Sequence, residues 1–211
     1  SSKTGILGRF AGKIVGIPKI IFHVHGWSFS RAKGLNKMFY LTLEKIFFYL
    51  TDLYIFVCLQ DSRDFVANGG NSKIGDRSIV IYPGAVFSEP GLNKKKRIEL
   101  RKTLGLKEDD FVIGTVARLD HQKNPEFFFR FASLYSKQNC QAKFLWIGDG
   151  ILMCQMLKFI TKEGLQDRVI MPGYISDVES YYSVFDIFCI TSRYEGLPVT
   201  CIKALANGVP V

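Results

Sequence analysis

The sequence predicts an α/β fold built on doubly wound parallel sheets. Two observations carry this reading. From residue 111 onward, short apolar runs of strand length alternate with stretches of helical period. Apolar strands that alternate with helices imply parallel pairing with both sheet faces covered. The second observation is size: 211 residues, 47% hydrophobic and 22% charged, suffice for a sizeable core in one large or two small units and are unlike a disordered chain.

Taken in order, residues 2 to 16 are small, apolar and basic and predict a helix that Gly16 and Pro18 end. "PKIIFHVHG" is a β-branched run halted by Gly26, which reads as a buried strand with His25 at its C-terminal edge. Residues 35 to 50 repeat apolar side chains at helical spacing, and "DLYIFVCL" reads as a second buried strand. The apolar stretch covering both is broken by Glu44, Lys45 and Asp52, whereas a membrane span takes about 20 nearly uncharged residues. "ANGGNSKIGDR" reads as a polar loop and "SIVIYPG" as a third strand. Residues 88 to 110 open on Pro-Gly and carry the basic run Lys94–Arg97, which predicts an interdomain crossing and a short helix. Four strands then follow in "FVIGTVARL", "AKFLWIGDG", "DRVIMPGY" and "DIFCITS". The helices between and after them are "NPEFFFRFASLYSKQ", "ILMCQMLKFITKEG", "DVESYYSV" and "PVTCIKALANG". The expected organisation is a first unit over 1–88, a linker with a short helix over 89–108, and a second unit over 109–211.

Lys and Arg number 28 against 19 Asp and Glu, a net charge of +9 that suits an anionic partner: a nucleotide diphosphate, an acidic membrane face or nucleic acid. Nucleic acid is disfavoured, because "NKKKR" at 93 to 97 reads as a solvated helix face with no basic–aromatic interleaving beside it. Five widely spaced cysteines without a Cys-x-x-Cys pair point to buried, reduced thiols and a cytoplasmic setting. No signal-peptide pattern follows Ser1. The chain opens in a helical pattern and closes on a strand-like "VPV", so both ends read as cut.

In doubly wound sheets ligands bind beyond the carboxyl ends of the strands. The strand at 111 delivers "ARLDHQKNP" there, with Arg118 and Lys123 on one loop. A flat guanidinium fork beside a mobile ammonium suits phosphate oxygens, although solvated surface charge is the commoner fate of such residues. The strand at 186 delivers "TSRYEGLP". Pro198 fits the first turn of the helix that follows, and the amides of Gly196 and Leu197 would then offer donors to an anion at its mouth. Glu195 beside them suits a polyol better than a phosphate, or else serves the helix dipole. His25 could equally cap a nearby backbone group, and His23 lies two residues before it on the same strand face. The chain shows no Asp-x-Asp pair, no His-x-x-x-His and no cysteine–histidine cluster, so no metal is expected.

Four blocks together resemble the retaining glycosyltransferases of family 4, with the GT-B fold of two Rossmann-like halves, of the type that builds surface polysaccharides. They are "SSKTGILGRFAGKIVGIPKIIFHVHGWSF", "IGTVARLDHQKNPE", "FLWIGDG…GLQDRVIMPGYISDV" and "DIFCITSRYEGLPVTCIKALANGVPV". The resemblance implies an N-terminal half, here incomplete, on the acceptor side and a C-terminal half that holds a nucleotide-sugar donor. It gives Arg118 and Lys123 the donor diphosphate, Gly173 and Tyr174 the nucleotide base, and Glu195 the donor sugar, with backbone donors from Gly196 and Leu197. It places His25 near the anomeric centre. It further implies transfer with retention and without a metal, most commonly from a UDP-sugar, to a polysaccharide or lipid-linked acceptor. Peripheral contact with the inner face of a membrane is then open, with Trp27 and Phe29 as exposed aromatic candidates.

Lys203 departs from the pattern, since it stands where the family has a second glutamate that accepts hydrogen bonds from the ribose. A lysine donates only. Two partners are open to it, a phosphate or Glu195. The alternative to an enzyme is therefore a catalytically impaired relative or fragment that binds nucleotide-sugar. The 211-residue chain alone is expected to transfer sugar poorly or not at all, and the full-length protein to be the enzyme.

Overall fold

The computed structural model describes residues 2–85, 93–138 and 141–211. The chain divides into two compact units: Ser1–Pro83 with Glu195–Leu197, and Gly84–Tyr194 with Pro198–Val211. Part of the expected linker, residues 89–92, lies outside the described residues, as does Cys140.

The first unit runs α1 (Ser2–Ile14), β1 (Ile21–Val24), α2 (Ser28–Arg31), α3 (Gly34–Phe48), β2 (Leu53–Phe56), α4 (Leu59–Ala67), a 3-10 turn over Ser72–Arg77, and β3 (Ser78–Val80). Its strands are parallel in the order β1-β2-β3. Period-2 alternation sends Tyr54 and Phe56 into a core with Val24, Phe48 and Phe65. Trp27 and Phe29 belong to that core too, at 1% and 0% exposure, which corrects their reading as surface aromatics. The cause is local: the Trp27 ring stacks on Phe29 at 5.3 Å and on Phe65 at 5.1 Å, and its Nε1 donates to the Asp61 carbonyl at 2.5 Å. The exposed apolar side chains of this unit are others, among them Leu35, Met38 and Phe39 on α3. Arg9 on α1 is buried against Glu44 on α3 at 2.7 Å. Among the described residues no helix is long and apolar enough to cross a membrane.

The second unit runs α5 (Asn93–Thr103), β4 (Phe111–Val116), α6 (Pro125–Ser136), β5 (Ala142–Ile147), α7 (Met153–Lys162), β6 (Val169–Gly173), a 3-10 turn over Glu179–Val184, β7 (Ile187–Phe188) and α8 (Val199–Ala206). All four strands are parallel, in the order β6-β5-β4-β7. On β5, Ala142, Phe144 and Trp146 enter one core with Phe128 and Phe129 of α6, while Leu145 and Ile147 enter the opposite core with Val112, Phe188 and Ala204. Both faces are covered, as the apolar strands predict. The basic run is partly a solvated face, with Lys94, Lys95 and Lys96 exposed. Arg97 and the buried Arg101 turn inward, donating to Asp186 Oδ1 at 2.6 Å and Oδ2 at 2.7 Å. These pairs lock α5 onto the start of β7.

Three expectations change. "DIFCITS" forms only the two-residue β7, with the Cys189 amide still donating to the Gly114 carbonyl at 2.7 Å. The helix α4 arises where no helix was read. Of the four described cysteines none is fully buried: Cys58, Cys189 and Cys201 are half-buried and Cys154 is exposed.

Candidate functional site

The strand order of the second unit reverses direction at β4, whose neighbours are β5 on one side and β7 on the other. Such a reversal leaves a crevice at the carboxyl ends, because the loops after the two central strands depart to opposite faces. Arg118 and Lys123 lie on the loop after β4, and Thr191–Tyr194 form the loop after β7. Hydrogen bonds join the two loops. The Arg193 amide donates to the Gln122 carbonyl at 2.8 Å, Gln122 Nε2 donates to the Tyr194 carbonyl at 3.2 Å, and Thr191 Oγ1 donates to the Lys123 carbonyl at 3.0 Å. Arg193 Nη2 reaches Asn124 Oδ1 at 3.3 Å. Asn124 itself is left-handed, with φ 52° and ψ 56°, a conformation rare outside glycine.

The joined loops, which make one rim, thus carry three cationic residues: Arg118, Lys123 and Arg193. Sequence reading missed Arg193, although it stands just past a strand end as Arg118 does. Arg118 is 70% exposed and pairs with Asp120 at 3.0 Å. An exposed pair of this kind is worth at most about 1 kcal/mol, so an anion can take the guanidinium from it. Asp120 also accepts from the Lys123 amide at 3.0 Å, which fixes the turn between the two cations.

Beside that rim, the loops after β4, β5 and β6 enclose a cavity of about 460 Å³. Val116, Ile147, Tyr174, Ile175 and Val178 make it largely apolar, and Arg118 stands at its edge. Its walls are stitched by the backbone: the Ala117 amide donates to the Ile147 carbonyl at 3.0 Å and the Gly148 amide to the Gly173 carbonyl at 2.9 Å. Gly148 is required here, because a Cβ would lie 2.1 Å from the Ala117 carbonyl oxygen. Gly173, at φ +80°, turns the chain so that the exposed Tyr174 ring flanks the opening. A largely apolar cavity with a guanidinium at its edge suits an apolar ring joined to a charged tail.

Lys203 has a partner that sequence reading did not name. It forms an ion pair with Glu179, the first residue of the 3-10 turn after β6. Pro198 is not in the first turn of α8. It is the N-cap, with ψ 100° holding it extended, and the helix begins at Val199. The amides of Gly196 and Leu197 therefore precede the helix instead of heading it.

Glu195, Gly196 and Leu197 group with the first unit, and so does His25. His25 sits one residue beyond β1, exposed, with its ring 4.2 Å from that of His23. Partial burial and the neighbouring His23 hold its pKa below the ordinary 6.5, against the opposing pull of Asp61. Asp61 is buried in the first turn of α4, where Cys58 Sγ donates to its carboxylate at 3.4 Å. Nothing in the sequence pattern had singled out Asp61.

Comparison with known proteins gives the family and the fold. The family described as "Glycosyl transferases group 1" matches residues 96–211. The chain is 32% identical to the UDP-Gal:alpha-D-GlcNAc-diphosphoundecaprenol alpha-1,3-galactosyltransferase of Escherichia coli, over all of its own length and 55% of that protein's. It therefore spans about half the length of such a relative. Among solved structures, Anabaena Alr3699/HepE in complex with UDP and glucose superposes with a TM-score of 0.83 at 22% identity, covering 100% of this chain and 56% of that one. WaaG, a glycosyltransferase involved in lipopolysaccharide biosynthesis, gives 0.74 at 16% identity, with 96% and 61% covered. These likenesses give the fold as GT-B. A parallel sheet with its crevice at the β4/β7 reversal, a cation rim and the matched C-terminal sequence together identify the chain as a member of the glycosyl transferases group 1 family.

Proposed function

We propose that this protein is a retaining, metal-independent glycosyltransferase of family 4, moving a sugar from a nucleotide-diphosphate donor, a UDP-sugar, to a polysaccharide or lipid-linked acceptor. The observation that carries the reading is the hydrogen-bonded pair of loops bearing Arg118, Lys123 and Arg193, with the 460 Å³ apolar cavity beside it. The name of the Escherichia coli relative specifies a UDP-sugar and an undecaprenol-linked acceptor, which supports the donor and acceptor classes. A membrane-linked acceptor would bring the protein to the inner face of the membrane.

In this reading Gly173 and Tyr174 flank the base, and Arg118 and Lys123 hold the diphosphate. The diphosphate gains negative charge as it leaves, so fixed cations stabilise the transition state more than the ground state. The amides of Gly196 and Leu197 add donors, Glu195 orients the sugar hydroxyls, and His25 works as a neutral imidazole near the anomeric carbon. The glycosidic bond to the leaving phosphate breaks while the acceptor oxygen attacks the same face. The leaving phosphate oxygen takes the acceptor's proton, so no separate general base is needed. Lys203 bears on the nucleotide indirectly, through its pairing with Glu179.

The test is turnover. Incubation of the full-length protein with UDP-sugars and an acceptor should release UDP and yield a product whose anomeric configuration, read by NMR, matches the donor's, with full activity in chelator. An inverted product, or a requirement for metal, contradicts the mechanism. Binding without UDP release, even by hydrolysis, would favour the inert-binder alternative.

A further inference from the structure

The ion pair between Lys203 and Glu179 marks a residue with no role so far. Glu179 directly follows Val178, which lines the 460 Å³ cavity with Tyr174 and Ile175. Glu179 is 58% exposed and Lys203 29% exposed, so the pair stands at the surface, with Glu179 one residue along the chain from the cavity wall at Val178. Exposed pairs contribute little to stability. Holding the fold together is thus a weak explanation for it.

The chemistry offers a better one. A ligand that puts a planar base between Tyr174, Ile175 and Val178 and its phosphates at Arg118 must place its ribose between them, along the open edge of the cavity. A ribose presents two adjacent hydroxyls, which need acceptors. Lys203 cannot accept, whereas a carboxylate offers two oxygens and about four acceptor positions. Lys203 holds Glu179 through Oε1 alone, which fixes the carboxylate's direction and leaves its acceptor capacity largely unspent.

We propose that Glu179, oriented by Lys203, accepts hydrogen bonds from the ribose hydroxyls of a nucleoside diphosphate bound in this cavity. Lys203 is the positioning residue and Glu179 the specificity-determining one. This rests on the donor-site reading above. The acceptor has moved from α8 to the turn after β6, and the lysine on α8 supports it instead of replacing it.

The experiment compares calorimetric binding of UDP and 2′-deoxy-UDP to wild type, Glu179→Gln, Lys203→Met and Lys203→Arg. Loss of one hydrogen bond to a charged acceptor should make wild type prefer UDP by about tenfold. Glu179→Gln should lower the ratio toward one by weakening UDP more than 2′-deoxy-UDP, which keeps only its 3′-hydroxyl for this acceptor. Lys203→Met should lower the ratio in part, and Lys203→Arg should restore it. A purely structural role would weaken both ligands equally and leave the ratio unchanged, which would overturn the proposal. Should UDP bind in an Arg118-dependent way while Glu179→Gln keeps the wild-type ratio, the donor site stands and this inference alone falls. Should neither nucleotide bind wild type, both fall.

Discussion

At the scale of single residues, His25 gives the most direct reading of its surroundings. Partial burial and the adjacent His23 ring lower its pKa from 6.5. The unfolded chain therefore takes up this proton more readily than the folded one. The stability contribution is fully present above about pH 6.5 and is lost as pH falls through that value toward the depressed one. An NMR titration of the His25 ring should give a midpoint below 6.5, and His25→Gln should remove its share of the stability lost on acidification. A midpoint at or above 6.5 contradicts the assigned environment. Lys203 and Glu179 show the reverse case, two side chains whose meaning lies in their pairing. They stand 24 positions apart in sequence. Reading Lys203 alone could not find that partner, because a fold brings it there and no local spacing encodes it.

At the scale of elements, the strands and long helices of the second unit were legible because their apolar periodicity is strong. The helix α4 was not, since only Asp61 and Phe65 of "LQDSRDFVA" are buried. Such a helix shows almost no apolar stripe. Trp27 and Phe29 misled for a related reason: they sit among polar residues in "GWSFSR", and their burial comes from Phe65 on a distant helix. The positions of Arg118, Lys123, Gly173 and Tyr174 at or just past strand ends were legible in the sequence, whereas the settings of Asp61 and Arg193 depended on which loops become neighbours. The basic run of α5 was read as solvated, yet Arg97 and Arg101 converge on Asp186. Burial alone would raise the Asp186 pKa, but the Val112 amide together with Arg101 and Arg97 outweighs it and holds the carboxyl below its ordinary 3.8. This contribution is present above about pH 4 and lost as pH falls through the depressed value. Asp186→Asn should destabilise the protein by about 3 kcal/mol in denaturant titration, because buried Arg101 loses its counter-charge. It should also flatten the acid dependence below pH 4. An unchanged midpoint would contradict the role given to this cluster in holding α5.

At the scale of the whole molecule, the net charge of +9 and the rim of Arg118, Lys123 and Arg193 act in one direction. An excess of positive charge draws anionic ligands toward the surface, and the local cations decide where they stay. Salt screens the first effect over about 10 Å at 0.1 M ionic strength and weakens the second less, so nucleotide affinity should fall with salt without vanishing. The measurement that tests the account most directly is calorimetric titration of UDP into wild type, Arg118→Ala and Lys123→Ala. The account predicts one site per chain in wild type, with each substitution weakening affinity by about tenfold or more through loss of a charge-assisted hydrogen bond. Absence of UDP binding in wild type, or equal affinity in all three proteins, would contradict it.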